Sequence, residues 1–390
     1  MAHSAALEEG FRAGPRMPRG APATFLSGNG PLVQVLQHAL HSGAFVQDMH
    51  RYIREYGLER PSVVPPEHVV VFDEAQRAWD RAKIADFYSK KLPKISAERH
   101  RSEPDLLIEI ANRLEGWSLV LALVGEGQEI HTGEEAGIAQ WSAAVQHAPS
   151  RWRVIGPSRL ASLFQGSAFE PDRALDLDVS LRAQAAGDLH RWVSTLLDGP
   201  DPAACAALGR RLRHDGFPIY VTRDLDAAKA YARDRFGGEL ERRFGLLASS
   251  KAKNLLQHGI DPGFQATKLI RIGNWFNDGP ESERSCCRLD DVVTEFQCQG
   301  LELDLPIVCW GDDFVRSGGG WEMRAVRPQP MVRDAMRLRR NAYRVLLTRG
   351  REGLVVFVPS EPAVSMQATF AALVAAGAIP VEGLRNAQAA

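Results

Sequence analysis

Two adjacent carboxylates, Asp73 and Glu74, close the apolar start of the run VVVFDEAQRAWD (69–80). Three Val and a Phe ahead of them read as a buried parallel strand that delivers acids to its carboxyl end, where ligands bind in open α/β sheets. Acids so placed suit a nucleotide hydrolase. The first would hold Mg²⁺ through water, and the second would orient or deprotonate the attacking water. Gln76 would sense the terminal phosphate or that water. The alternative is a helix N-terminus with favourable acids in its first turn.

Other polar residues stand where a ligand site could use them. Gly125-Glu126-Gly127-Gln128 ends the next apolar run, so Gln128 is a second sensing candidate, with a surface turn as the alternative. Arg182, in LDLDVSLRAQ, is either a ligand-facing cation or an exposed helical Arg. TEFQCQGLELD (294–304) packs Gln299, Gly300 and Glu302 among further polar groups just ahead of the apolar PIVCW, as a loop facing a ligand would. A capped surface helix competes with that reading. Thr348-Arg349-Gly350-Arg351 closes an expected strand YRVLLT (343–348), from which Arg349 could reach a γ-phosphate and stabilise its growing charge. The alternative there is a surface turn.

The elements that must position these residues alternate strand and helix. Ala23 to Leu26 reads as a strand, followed by Ser27-Gly28-Asn29-Gly30 and a helix opening at Pro31. A charged helical piece (HRYIREYG) precedes the Asp73 strand, and GWSLVLALVGEGQ (116–128) follows as a continuously apolar strand. Thr132 to Glu135 has capping-box spacing for a helix running through Trp141. Residues 166–216 read as mostly helical. FPIYVT, GLLASS, PIVCW, YRVLLT and GLVVFVP then read as strands of a second sheet. Strands apolar on both faces and alternating with helices predict a parallel α/β fold.

Composition bounds the partners less than its distribution does. The 390 residues are 45% apolar and 24% charged, with a net charge of −1, ordinary for a globular protein of two or three domains. Nine arginines between Arg324 and Arg351 face Asp334 as the only acid of that span, so this stripe could hold phosphates or be a solvated helix face. Five cysteines in no metal-ligand spacing fit a reduced, cytoplasmic setting. No apolar run reaches membrane-spanning length, and residues 1–22 read as a disordered Gly/Pro-rich lead-in without a signal-peptide core.

Taken in order, these pieces resemble a superfamily-one helicase motor, and most closely the Schlafen group 3-like DNA/RNA helicase domain family, a group of bacterial proteins. FLSGNGPLVQVL is similar to the family's segment after the phosphate-loop helix. VVVFDEAQRAW resembles its Walker B motif and LVGEGQEIHTGEEAG its motif III. SLRAQ is similar to the segment that carries the motif IV arginine. GLLASSKAKNL, VTEFQCQGLELDLPIVCWGDDF and YRVLLTRGREGLVVF resemble the later blocks. The resemblance implies two RecA-like P-loop NTPase-type domains, over 23–165 and 217–360. A mainly helical connector (166–216) would join them, and a tail (361–390) would follow. It implies ATP and Mg²⁺ as cofactors and DNA or RNA as partner. Asp73 would be at the metal, with Glu74, Arg349 and Arg182 catalytic. Gln76, Gln128, Gly300 and Glu302 would lie at the nucleotide, and Gln299 in motif V.

One family feature is missing. The Walker A loop ends in Gly-Lys-Ser/Thr, and no Gly-Lys pair occurs anywhere in the sequence. The first domain is therefore expected to lack its phosphate-loop strand and to leave the β- and γ-phosphates without their main contacts. Such a chain would be a truncated or mis-started reading frame of a helicase or translocase. The competing functions are a non-catalytic nucleic-acid- or protein-binding remnant that uses the basic stripe, and an accessory subunit of a defence system that works through a protein partner.

Overall fold

The computed structural model describes residues 23–93, 95–124, 137–176, 184–199, 201–317, 319–324, 334–360 and 363–381. The chain divides into two units: residues 40–179 with 1–33, and residues 180–390 with 34–39. Gln128 and Arg182 lie outside the described residues, as does the Thr132–Glu135 capping box.

The first unit is built on a parallel sheet of β1 (Ala23–Ser27), β2 (Val46–Asp48), β3 (Val69–Asp73) and β4 (Leu119–Ala122) in the order β2-β1-β3-β4. Alternation of side chains along β3 sends Val70 and Phe72 into a core with Leu26, Ile84, Tyr88, Leu107, Ile110 and Trp141. The helix Gly30–Leu40 follows β1, as the Gly/Asn turn predicts. The helical piece after β2 runs from Met49 to Tyr52 and then widens into a π-helical turn, Ile53–Glu59.

One expectation changes here. One face of β4 is open among the described residues: Leu119 is 51% and Leu121 41% exposed, and β4 is the last strand of this sheet. Continuous apolar character does not distinguish a central strand from an apolar edge. The described part of 166–216 is mostly helical, as expected, with one strand near its start. β6 (Ala168–Pro171) pairs in parallel with β5 (Arg153–Gly156) before the helices Gln184–Asp198 and Pro202–His214.

The second unit contains a six-stranded parallel sheet. β7 (Ile219–Thr222), β8 (Phe244–Ala248), β9 (Val292–Thr294), β10 (Leu305–Cys309), β13 (Leu354–Phe357) and β14 (Ile379–Pro380) lie in the order β14-β7-β13-β10-β8-β9. Between β10 and β13 the chain forms a hairpin of β11 (Phe314–Ser317) and β12 (Gly320–Met323). YRVLLT is not a strand. It ends the helix Ala335–Leu347, which Asp334 caps by accepting a hydrogen bond from Arg337 N at 2.8 Å. Arg339, Ala342, Tyr343, Leu346 and Leu347 form its buried stripe at helical spacing.

Several arginines of the basic stripe are paired with acids elsewhere in the second unit. Arg339 is 8% exposed and lies 3.0 Å from Asp313 Oδ2. Arg340 pairs with Asp198 at 3.3 Å, Arg344 pairs with the same carboxylate, and Arg351 pairs with Glu302 at 3.3 Å. Arg327 and Arg333 lie outside the described residues. All five cysteines are buried free thiols. No helix among the described residues is long and apolar enough to cross a membrane.

Candidate functional site

Parallel pairing in one register ends three strands of the first sheet at the same level. Ser27 of β1 stands opposite Asp48 of β2 on one side and Asp73 of β3 on the other. The carboxyl end of a parallel sheet is where such folds bind ligands, and here it holds two acids and a hydroxyl. Asp48 is occupied locally, its Oδ1 accepting from Arg51 N at 2.8 Å.

Beyond Asp73 the chain turns sharply. Glu74 has φ 53° and ψ 44°, a left-handed conformation that costs a non-glycine L-residue about 1 kcal/mol or more. The fold holds the turn from several sides. Ala75 N donates to Leu123 O (2.8 Å), Arg77 N donates to Glu74 O (2.8 Å), and the Trp141 indole donates to Ala75 O (2.8 Å). The buried Gln76 side chain donates from Nε2 to Glu74 Oε2 at 2.5 Å. Asp73, Glu74 and Gln76 are thus brought together. Strain in a fixed turn beside two carboxylates is the kind of feature found at functional sites.

The electrostatics match. Burial, and then the neighbouring charge of Glu74, push the Asp73 carboxyl up to about 6, with Arg77 offsetting part of the shift. A carboxyl whose folded value is raised binds its proton more tightly folded than unfolded. Stability therefore falls as pH rises from the ordinary carboxylate range to about 6, and the penalty stays constant above it. Asp73→Asn is expected to stabilise the protein at pH 7.5 by about 1–3 kcal/mol, with a smaller gain at pH 5. Chemical unfolding at the two pH values checks this, and a variant less stable than the wild type would contradict it.

A narrow pocket borders this pair, lined also by Gly28, Asn29, His50, Trp79 and Glu103. Glu103 is buried at the start of the helix Glu103–Ala111, whose N-cap is Ser102. One of its oxygens meets His50 Nδ1 at 2.7 Å, and the other accepts from Trp79 N at 2.8 Å. His50 stacks on Trp79 with ring centroids 3.8 Å apart. Burial alone would lower the His50 value, but the charge and hydrogen bond of Glu103 outweigh it and raise the imidazole above its usual 6.5. Nothing in the sequence reading singled out His50 or Glu103. The only local signal is the Ser-Glu-Pro-Asp start of a helix at 102–105, which reads as capping.

The remaining candidates lie in the second unit. The helix Glu295–Cys298 carries a capping box between Thr294 and Gln297, so the capped-helix reading of TEFQCQGLELD describes its start. It is not a surface helix, because Glu295, Cys298, Gln299 and Leu301 are buried. Ser250 binds both oxygens of Glu295, through N at 2.8 Å and Oγ at 2.9 Å. Gly300 has φ 78°, which suits glycine. Segments 301–304 and 349–352 are joined by Leu303 N to Arg349 O (2.8 Å) and Arg351 N to Leu303 O (2.9 Å). Arg349 follows a helix rather than closing a strand. Its buried guanidinium donates to Val345 O (2.9 Å), Leu301 O (3.2 Å) and Thr348 Oγ1 (3.0 Å). The structure therefore gathers Gly300, Glu302 and Arg349 into one neighbourhood.

The family model described as Schlafen group 3, DNA/RNA helicase domain, matches residues 4–360 of the chain. No curated protein matches it.

Proposed function

We infer the activity from a single premise: the chain belongs to the Schlafen group 3, DNA/RNA helicase domain family. In outline such a chain is a helicase-like nucleic-acid motor. In detail, we propose that it hydrolyses ATP at the carboxyl end of β3 and couples hydrolysis to movement on single-stranded DNA or RNA. The observation that carries this is the juxtaposition of Asp73, Glu74 and Gln76 on one strained turn. The two sheets would be RecA-like domains of the motor.

The donor set fits a hard cation. Asp73 and Glu74 repel each other in a desolvated position, a cost that a divalent ion relieves. Among the described residues no group of three or more His, Cys, Asp or Glu could cage a metal alone. Mg²⁺ commonly takes one or two carboxylates and leaves its other positions to water and substrate phosphates. Asp73 would hold it, and the bound ion would neutralise charge on the phosphate oxygens. Glu74 would accept a proton from the attacking water, and Gln76 would keep that carboxylate aimed through its hydrogen bond. Gln299, Gly300, Glu302 and Arg349 are carried over as nucleotide-site candidates by family likeness alone. Gln128 and Arg182 would add a sensing amide and a cation by family likeness alone.

One observation favours a second reading, a non-catalytic nucleic-acid- or protein-binding module. The sequence has no Gly-Lys pair, so no lysine stands in the phosphate-loop position. Turnover of Mg–ATP by the purified chain separates the two readings. Turnover that rises when single-stranded DNA or RNA is added supports the motor. Nucleic-acid binding without turnover supports the module.

A further inference from the structure

His50 lines the pocket of Asp73 and Glu74 without a part in the chemistry described so far. Its position is fixed from three directions. Tyr88 OH donates to the His50 carbonyl at 2.9 Å, Trp79 stacks on the ring at 3.8 Å, and Glu103 meets Nδ1 at 2.7 Å. A carboxylate only accepts, so Nδ1 carries the proton of that bond. With both Glu103 oxygens accepting, from His50 and from Trp79 N, the ring cannot flip without breaking the pair.

The free edge of the ring is then Nε2. Among the described residues it has no hydrogen-bond partner. It lies with Cε1 on the Gly28 side, 3.8 Å from where a Cβ on Gly28 would stand. The side chain keeps 21% exposure while Glu103 keeps 1%, so the buried acid holds a part-exposed ring that lines the pocket of Asp73 and Glu74. A histidine oriented by a buried carboxylate is a prepared donor, since its orientation costs nothing at the moment of binding. The charges that act on it are Glu103 and Asp48, which favour the imidazolium, and Lys83, which opposes it; Asp73, Glu74 and Arg77 line the same pocket. In the charged form Nε2 only donates.

We infer that His50 is an anion-binding residue of this pocket, donating Nε2–H to a phosphoryl oxygen while Glu103 holds Nδ1. The identification of the anion as phosphate rests on the nucleotide reading above. The oxygen belongs either to the nucleotide or to a nucleic-acid backbone, and binding measurements tell the two apart.

The full chain and its His50→Gln and Glu103→Gln variants are titrated with ADP and, separately, with a single-stranded oligonucleotide. His50→Gln is expected to weaken binding in at least one arm by about tenfold or more, the size of a lost hydrogen bond to a charged group. Glu103→Gln is expected to weaken the same arm less, because the ring is kept and its orientation loosened. Loss confined to the ADP arm places the oxygen on the nucleotide, and loss confined to the oligonucleotide arm places it on the backbone. Unchanged affinity in both arms overturns the inference. The His50 side-chain ¹⁵N resonances of the wild type supply a reading independent of any variant's folding. Nε2 should shift on adding the bound ligand, and an unmoved Nε2 overturns the inference too. Failure of hydrolysis does not decide this test, because phosphate binding is read without turnover.

Discussion

Glu74→Gln is expected to lower ATP turnover by about 10²–10⁴-fold while leaving nucleotide affinity unchanged or slightly higher. The amide matches the carboxylate in size and keeps an oxygen to accept from Gln76, now 2.5 Å away. The left-handed turn stays in place, because Leu123 and Trp141 hold the backbone of Ala75 and not the Glu74 side chain. What disappears is the capacity to take a proton from water. Removing one negative charge beside Asp73 also eases the approach of a polyphosphate. Steady-state turnover and a binding titration on the same preparation measure the two quantities. A variant that retains wild-type turnover would remove Glu74 from the chemistry.

The second large effect concerns stability. Asp313 is 4% exposed and accepts from Ser249 Oγ (2.7 Å) and Tyr343 OH (2.8 Å), while Arg339 Nη1 lies 3.0 Å away. Tyr343 OH in turn accepts from Gly311 N at 3.0 Å, so the carboxylate organises the loop after β10 as well. Asp313→Ala would leave the buried Arg339 guanidinium without its counter-charge, at a cost of about 3–5 kcal/mol. Adding Arg339→Met should recover much of that loss, because the stranded charge, more than the lost attraction, carries the penalty. Denaturant unfolding of the single and double variants tests the pair. A single variant within about 0.5 kcal/mol of wild type, the range of an ordinary surface change, would contradict this account.

The part of the site legible in the sequence is the part that is local. Asp73, Glu74 and Gln76 fall within four residues after an apolar run, so strand direction alone places them at a sheet's carboxyl end. His50 and Glu103 are 53 residues apart and meet only through tertiary packing. Each also has a sufficient local explanation, one in a charged helical piece and the other at a capped helix start. The misread strand at 343–348 has the same kind of cause. Tyr343, Val345 and Thr348 favour strands when read alone. The helical period emerges only when Arg339 counts as buried, and its burial depends on Asp313, 26 residues upstream. The acids that pair with the arginine stripe, Asp198, Asp313 and Glu302, all lie outside the stripe, so a charge window over 324–351 finds cations with almost no partners.

The claim that Asp73 and Glu74 form a nucleotide site is tested most directly by calorimetric titration of the purified chain with ATP and Mg²⁺. Saturable binding is expected at millimolar concentration or below, with its Mg²⁺-dependent part abolished by Asp73→Asn. Absence of binding at millimolar ATP, or binding indifferent to Asp73→Asn, would contradict it.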